Sequence, residues 1–474
     1  MSIDLTQPLQ WTSATGDAET MLENLQPNIV KPHVRDDLTV LFLHFDVAAE
    51  ARTFLQGVRT HMKSAKDHLL EIQAFKASHD PSASATYVGV GLTASGYSAL
   101  SVAATPADAK FSQPGGMKGS RGALDDPAIS LWEPTYRGDI HAVVLVGDAA
   151  TNEGRYVGVR NAILDLLTEG ITVLGEETGR SLVNADGHGI EHFGYVDGRS
   201  QPLFLAEDVT DETNTTDGTN AWNPAFPLGQ LVVADPAAPD PSVHFGSYLV
   251  FRKLEQNVAL FKEAEDDLAD RLGLVGEDTE RAGAMIIGRF EDGTPLTIQS
   301  EAGAHEPLMN NFSYDSDAEG SKCPFHAHIR KSNPRGSGGA PGGGPANLAF
   351  ERSHIMARRG QTYGHRSDDP NGDLPPSARP TGDVGLLFMA FNADLGNQFE
   401  FTQAAWVNNP NFPFTSPTPA GLDPVIGQGP RPQTDFPKAW GDPARMTTDQ
   451  AAQAVTLKGG QYFFMPSLAF LDTL

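Results

Sequence analysis

The segment His192-Phe193-Gly194-Tyr195-Val196-Asp197-Gly198-Arg199-Ser200-Gln201-Pro202 sets a single carboxylate, that of Asp197, in a loop punctuated by glycine and proline. Gly194 and Gly198 let the backbone turn sharply or approach a ligand closely, and Pro202 ends any regular element before it. Because the flanking residues are aromatic or aliphatic, we expect the loop to be buried and desolvation to tune the pKa of Asp197. The alternative interpretation is an ordinary Asp-Gly surface turn.

Three further blocks follow toward the C-terminus: Cys323-Pro324-Phe325-His326-Ala327-His328-Ile329-Arg330-Lys331-Ser332-Asn333-Pro334-Arg335, His354-Ile355-Met356-Ala357-Arg358-Arg359-Gly360-Gln361-Thr362-Tyr363-Gly364, and Leu457-Lys458-Gly459-Gly460-Gln461-Tyr462-Phe463-Phe464-Met465-Pro466-Ser467. With the first segment, they resemble in order the motifs of the dye-decolourising peroxidases, a family of haem enzymes. The resemblance covers the chain from about residue 190 to its end. The N-terminal third matches the family only in its pattern of strands.

The resemblance implies roles for particular side chains. Asp197 falls on the aspartate of the family's G-x-x-D-G motif, which is the distal acid. His328, the histidine before Ile-Arg-Lys, falls on the ligand of the haem iron. Arg358, six residues before a glycine, falls on the distal arginine, with Arg359 as its nearest rival. Gly198, like Gly194, is expected to fit the loop over the porphyrin plane.

The cofactor implied is haem b, held non-covalently, because the chain has no Cys-x-x-Cys-His motif. A neutral imidazole such as that of His328 binds ferric iron through one nitrogen, and its other nitrogen can donate to a carboxylate. Glu400 is our candidate for that carboxylate, although an exposed helical glutamate is an equal alternative. Arg330 or Arg335 is expected to bind a haem propionate, since guanidinium pairs bidentately with carboxylate, or to be a surface charge.

A zinc site formed by Cys323, His326 and His328 is an alternative reading of the same block. A closed structural zinc site needs four ligands at recognisable spacing, and the sequence offers no second cysteine pair or H-x-x-x-H to complete one. The block therefore favours haem.

The composition, with 39% hydrophobic and 20% charged residues among 474, is that of an ordinary globular protein. Sixty acidic against 34 basic residues give a net charge of −26, which disfavours nucleic acid and anionic partners. No apolar run approaches the ~18 residues that would span a bilayer, so no membrane partner is expected. A single cysteine excludes an internal disulfide and fits a cytoplasmic location.

The order of the predicted elements favours an α+β fold with antiparallel sheets flanked by helices rather than a doubly wound parallel sheet. The resemblance implies two ferredoxin-like domains, which we assign to residues 31–240 and 241–474 after an N-terminal extension at 1–30. Apolar runs and helical periodicity predict strands at 38–45, 87–92, 140–146, 171–174, 247–254 and 384–391, and helices at 47–66, 152–168, 257–272 and 397–407. The polar run 208–223 is predicted to be a surface excursion.

The function implied is a peroxidase that reduces hydrogen peroxide and oxidises aromatic or dye-like donors in one-electron steps. Asp197 would carry the proton between the peroxide oxygens, and Arg358 would stabilise the developing charge. Trp406, Tyr363 and Tyr195 are candidate electron relays, although each is more often plain packing. The alternatives are a haem-handling or dechelating protein on the same scaffold, and a protein that has kept the fold and lost the cofactor. The sequence leaves the natural donor and the oligomeric state open.

Overall fold

The computed structural model describes residues 3–80, 84–215, 218–303, 308–342, 344–366, 368–372 and 374–474. Its strands are β1 Asp37–Phe45, β2 Tyr87–Leu92, β3 Ala142–Asp148, β4 Ile171–Arg180, β5 Leu182–Val183, β6 Gly189–Ile190, β7 Val233–Ala234, β8 Phe245–Gln256, β9 Ala357–Arg358, β10 Gln361–Tyr363, β11 Gly385–Asn392, β12 Gln433–Pro437, β13 Arg445–Asp449 and β14 Val455–Met465.

The helices are α1 Asp17–Asn24, α2 Ala48–Arg59, α3 Ala65–Ser78, α4 Ala94–Ala99, α5 Ala109–Ser112, α6 Met117–Ser120, α7 Pro134–Arg137, α8 Glu153–Leu164, α9 Ala206–Thr215, α10 Val258–Leu272, α11 Glu280–Ile287, α12 His328–Ser332, α13 Leu348–Arg352 and α14 Leu468–Asp472. Two consecutive π-helical segments, Gly396–Glu400 and Thr402–Val407, follow β11.

The central sheet consists of two antiparallel four-stranded units with the same topology. In the first unit the strands lie side by side in the order β4-β1-β3-β2, and in the second in the order β14-β8-β11-β10. Each is the fourth-first-third-second arrangement of a ferredoxin-like fold. The units join edge to edge where β2 pairs with β14 and β4 pairs with β10, so that the eight strands close into a ring. The predicted α+β fold with ferredoxin-like antiparallel sheets is confirmed, and the domain boundary near residue 240 stays a prediction.

The apolar runs of the sequence form the inner strands. β1 is buried along most of its length and pairs with both β3 and β4, and β8 is buried at ten of its twelve positions between β14 and β11. Because such strands meet other elements on both faces, their central residues are mostly apolar rather than alternately apolar and polar. This explains why they could be recognised from the sequence.

Two segments differ from their predictions. The helix expected at 47–66 ends at Arg59, because Ser64 and Asp67 form a capping box that starts a new helix, α3. In the polar run 208–223, predicted to be a surface excursion, residues 208–215 belong to helix α9, which was not predicted and has no buried residue. Residues 218–223 are irregular, and residues 216 and 217 lie outside the described residues. Ion pairs of 2.6 Å from Lys31 to Asp208 and 3.0 Å from Arg199 to Glu212 hold helix α9 to the body.

The N-terminal residues contact the body of the protein, with Leu25 fully buried. Among the helices of the described residues, none combines the length and the apolar character needed to cross a membrane.

Candidate haem site

The three motif blocks that carry candidate site residues meet at one cavity. It encloses about 1710 Å³, counting the space at its open mouth. Asp197 and Gly198 reach it from the loop after β6, His328 from the first turn of α12, and Arg358 from the end of β9. Arg335, from the segment that follows α12, also contributes to its wall. The sequence therefore identified side chains of one cavity in blocks that lie far apart along the chain.

His328 is held by a buried carboxylate. Its Nδ1 lies 2.8 Å from Oδ2 of Asp423, which has no exposed side-chain surface. The other oxygen of Asp423 accepts the backbone N–H groups of Val425 and Ile426, at 2.8 and 3.0 Å. Burial alone would lower the pKa of His328, but the charge of Asp423 and its hydrogen bond outweigh burial and raise it. Because a carboxylate accepts, Nδ1 donates, and the lone pair of the neutral ring lies on Nε2.

The prediction that Glu400 is the carboxylate beside His328 is wrong, because Asp423 makes that contact. Glu400 lies in the first π-helical segment, where it accepts hydrogen bonds from Ser120 and, at 2.9 Å, from the hydroxyl of Tyr462. Lys110 Nζ lies 2.7 Å from its other oxygen. Its partners are therefore Ser120, Tyr462 and Lys110, and His328 is not among them.

Asp197 and Arg358 form an ion pair at the cavity, with 3.2 Å between Oδ1 and Nη1. The guanidinium also donates to the carbonyl of Arg199 at 2.9 Å, and the backbone N–H of Arg358 donates to Gln201 Oε1 at 3.0 Å. Both charged groups keep contact with solvent through the cavity: the Asp197 side chain is 40% exposed and that of Arg358 34%. The aromatic flanks of the loop are buried as expected, but the carboxylate itself is exposed, contrary to the prediction.

Arg359, the alternative candidate for the distal arginine, does not point into the cavity. Its guanidinium is buried and donates to the backbone carbonyls of Asn28, Ile29 and Arg358. Burial lowers the pKa of Arg359 to about 9. This arginine fastens the N-terminal extension to β9 and does not line the cavity.

A second carboxylate, missed by the sequence interpretation, shapes the loop that carries Asp197. Glu191 accepts the backbone N–H groups of Phe193 and Tyr195, at 2.9 and 3.1 Å, and a hydrogen bond from the amide of Gln256. Asp197 N–H in turn donates to the carbonyl of Gly189 at 3.0 Å. Hydrogen bonds thus hold the loop both before Asp197 and at Asp197 itself, so this side chain projects from a fixed backbone.

Two buried arginines reach the cavity without an acidic partner. Arg335 donates to the carbonyls of Asn310 and Phe312, both at 2.7 Å, and to Ser200 Oγ at 2.8 Å. Arg289, which the sequence interpretation missed, donates to the same hydroxyl at 3.0 Å. Among the described residues no carboxylate lies within ion-pair distance of either guanidinium. Burial lowers the pKa of Arg335 to about 9 and that of Arg289 to about 10, so both remain cationic at neutral pH.

Arg330 does not reach the cavity, which corrects its assignment to a haem propionate. Its guanidinium is fully buried, 2.9 Å from Asp317 Oδ2, and donates to the carbonyl of Cys323 at 2.7 Å. The rings of Tyr314 and Phe325 lie 4.5 and 4.4 Å from it. With its charge already paired inside the protein, Arg330 is a structural residue.

The zinc alternative finds no support in the described residues, where Cys323, His326 and His328 do not form a group of metal-ligand atoms. His326 is buried edge-on against the ring of Phe436, at 4.6 Å, and burial lowers its pKa to about 3. The three candidate relays Trp406, Tyr363 and Tyr195 are all buried, at 2 to 7% exposure.

The cavity fits a haem in three respects. The Nε2 of His328 is free to bind a metal, since among the described residues only Nδ1 has a hydrogen-bond partner. Gly198 has a φ of 80°, and a Cβ placed there would meet only open space, which leaves room for a flat ring. Arg289 and Arg335 offer uncompensated positive charge for propionates. A histidine backed by a carboxylate, facing a cavity that holds an ion-paired aspartate and arginine, fits the class of haem enzymes that act on peroxide.

Comparisons with known proteins agree with this class. DyP2 of Amycolatopsis sp., a multifunctional dye peroxidase, is 61% identical over 476 residues with both chains fully covered, and its solved structure superposes with a TM-score of 0.95. The DyP-type peroxidase AnaPX of Anabaena sp. is 35% identical, with a TM-score of 0.88 over 98% of this chain and 97% of its own. A dye-decolourising peroxidase in complex with 2,6-dimethoxyphenol is 27% identical, with a TM-score of 0.76 over 95% of this chain and 98% of its own. No family model matches the chain.

The chain belongs to the dye-decolourising peroxidase family, and it is a haem peroxidase. The haem-handling alternative has weaker support: a deferrochelatase of Yersinia pestis is 28% identical over 211 residues, which is 44% of this chain and 35% of that protein.

Proposed function

We propose that this peroxidase binds one non-covalent haem b through Nε2 of His328 and uses Asp197 and Arg358 to react with hydrogen peroxide. The observation that carries the proposal is the 3.2 Å ion pair of Asp197 and Arg358 at the cavity to which His328 also contributes. Haem, when bound, would supply the iron to which peroxide binds, and it would hold the two oxidising equivalents that peroxide delivers until donors reduce it.

On the distal side, the carboxylate of Asp197 takes the proton from the inner oxygen of hydrogen peroxide and returns it to the outer oxygen, which leaves as water. Arg358 is a permanent cation whose position is fixed by Arg199 and Gln201, so it stabilises negative charge on the departing oxygen without rearrangement. The solvent contact of both groups supports exchange of protons and water with the cavity mouth.

On the proximal side, Asp423 holds the imidazole of His328 in one tautomer and makes it a stronger electron donor to iron. Arg335 and Arg289 are the candidates for the haem propionates, because they are buried cations whose other partners are neutral. Ser200, which accepts from both, sets their separation.

The donors we propose are aromatic or dye-like molecules, neutral or cationic, that give up one electron at a time. The net charge of −26 opposes the approach of anionic donors, an effect that extends over a Debye length in moderate salt. A related peroxidase has been solved with 2,6-dimethoxyphenol, a neutral phenol. A cytoplasmic location is proposed from the single, buried cysteine, and cell fractionation tests it.

The proposal is tested by Arg358→Leu. We expect the variant to keep its haem absorbance and to react with peroxide about 10²–10³-fold more slowly, the cost of removing one electrostatic stabiliser. Stopped-flow mixing with peroxide measures this rate. Arg359→Leu is the matched control, and we expect it to lower thermal stability while leaving the rate unchanged, because the Arg359 side chain is buried against backbone carbonyls and does not line the cavity. Equal rates for wild type and Arg358→Leu would remove Arg358 from the mechanism.

A further inference from the structure

A second group of metal-ligand side chains lies where β1 ends and β3 begins. The ligand atoms of His44, Asp139 and His141 all lie within 4.8 Å of one another, and Asp46 lies beside His44. We call these four residues the His44 cluster. The antiparallel pairing of β1 with β3, with Leu43 opposite Ala142, brings these residues together. The two imidazole rings stack with centroids 4.1 Å apart. His44 Nε2 lies 3.6 Å from Asp46 Oδ1, and His141 Nε2 lies 3.2 Å from Asp139 Oδ2.

Hydrogen bonds fix the tautomer of each ring. His44 Nδ1 lies 2.8 Å from the carbonyl oxygen of Asp139, which only accepts, so Nδ1 carries the proton and Nε2 carries the lone pair. His141 Nδ1 accepts the backbone N–H of Phe45 at 2.9 Å, so in the neutral ring Nε2 carries the proton and donates to Asp139. His44 therefore offers a ligand atom, while His141 orients a carboxylate.

The two carboxylates are oriented and lack a cationic partner. Thr172 donates to one oxygen of Asp46 and Ser95 to one oxygen of Asp139, both at 2.9 Å, which leaves the other oxygen of each toward the histidines. Over the part of the chain that the structure describes, no lysine or arginine lies within ion-pair distance of either group. Their side chains are 49% and 60% exposed, so an ion can enter from solvent.

A comparable group formed by His33, His68 and Glu71 serves as a contrast. In that group the ammonium of Lys63 already lies among the ligand atoms. It donates hydrogen bonds to Glu71, to His33 Nε2 at 2.9 Å and to the carbonyl of Ala85 at 2.8 Å. A built-in cation neutralises that group. The His44 cluster has the same kind of donor atoms without one.

We propose that the His44 cluster binds a divalent transition-metal ion of the Zn²⁺ class. His44 Nε2 and Asp139 Oδ2 are the first two ligands, and Asp46 Oδ1, 3.6 Å from His44 Nε2, is the third. His141 donates to Asp139 Oδ2 at 3.2 Å and holds that carboxylate in place, as outer partners of metal ligands do. The bound ion ties the end of β1 to the segment that precedes β3, and it stabilises the folded protein by mass action. The site is distinct from the haem cavity, since none of its residues lines that cavity.

The test is isothermal titration of chelator-washed holoenzyme with Zn²⁺, together with Tm measured with and without the ion. We expect one equivalent to bind with a rise in Tm. We expect His44→Ala and Asp139→Asn each to weaken binding at least tenfold, and loss of the outer partner in His141→Gln to weaken it about 10–100-fold. His365→Ala, at an exposed histidine elsewhere, is the matched control and should bind as wild type does.

Unchanged haem absorbance verifies that the variants fold, and Asp139 is exposed enough for its replacement to be tolerated. No binding heat at millimolar Zn²⁺ overturns the proposal. So does binding to His44→Ala and Asp139→Asn with the affinity of wild type, since the ion would then lie elsewhere.

Discussion

Asp423→Asn tests the structural assignment that the sequence interpretation missed. In wild type, Asp423 Oδ2 accepts from His328 Nδ1, and Oδ1 accepts from Val425 and Ile426 N–H. An asparagine has one oxygen and one NH₂ group, so in either orientation its NH₂ faces a donor. In one orientation the NH₂ group faces His328 Nδ1, and the histidine loses its hydrogen-bond acceptor. In the other orientation the NH₂ group faces the N–H groups of Val425 and Ile426, and these lose theirs. In both, the negative charge beside His328 is gone.

The expected cost is a 10–100-fold loss of haem affinity, the usual effect of removing an outer partner of a metal-binding histidine, or about 1.4–2.7 kcal/mol. The assay is transfer of haem from each holoprotein to excess apo-globin, followed by the change in absorbance. The reduction potential of the haem should also rise, because a less electron-rich imidazole stabilises ferric iron less.

Glu400→Gln is the matched control, since Glu400 contacts Ser120, Tyr462 and Lys110 but not His328. It should release haem at the wild-type rate with an unchanged potential. If Asp423→Asn behaves as wild type while Glu400→Gln shifts both quantities, the assignment of the proximal carboxylate is refuted.

Two further predictions concern the imidazole ligand and the distal loop. His328→Ala should fold but purify with little haem, whereas His326→Ala should retain it, and the ratio of haem to protein absorbance decides between them; the reverse outcome would identify His326 as the ligand. Burial raises the pKa of Glu191 from 4.5 to about 7. Between pH 4.5 and 7, Glu191 is therefore protonated in the folded protein and ionised in the unfolded chain. Unfolding free energy should therefore fall as pH rises from about 4.5 to 7, by on the order of 3 kcal/mol from this group. In urea denaturation, the unfolding free energy of Glu191→Gln should change less between pH 4.5 and 7 than that of wild type. An identical pH dependence in both proteins would contradict the raised pKa of Glu191.

The strands and long helices could be predicted because their signals are local. β1, β2, β8 and β11 each contain a run of mostly apolar residues, and α10 has clear helical periodicity ended by a glycine, Gly273, in the left-handed region. Helix α9 could not be predicted, because its Asp- and Thr-rich sequence favours turns and its ion pairs with Lys31 and Arg199 join residues far apart along the chain.

The candidate site could be predicted only where a motif carried it. Asp197, His328 and Arg358 each lie in a recognisable block, and the structure brings all three to one cavity. Asp423 and Arg289 lie in segments without such a signal, and Asp423 is 95 residues from the histidine it contacts. Glu400 lies in a stretch that the sequence predicts to be helical, but which way a helical side chain points depends on packing that the sequence does not specify.

The most direct test of the mechanism is the bimolecular rate with hydrogen peroxide for wild type and Asp197→Asn, measured by stopped flow from about pH 4 to 8. Asparagine keeps the shape of the side chain and removes the proton acceptor, while Arg358 keeps its bond to the carbonyl of Arg199. We predict unchanged haem content and a rate lower by roughly 10²–10⁴. Asp186→Asn, an exposed aspartate in the same region, should react as wild type does. An Asp197→Asn variant as fast as wild type at every pH would contradict the proton-transfer role of Asp197.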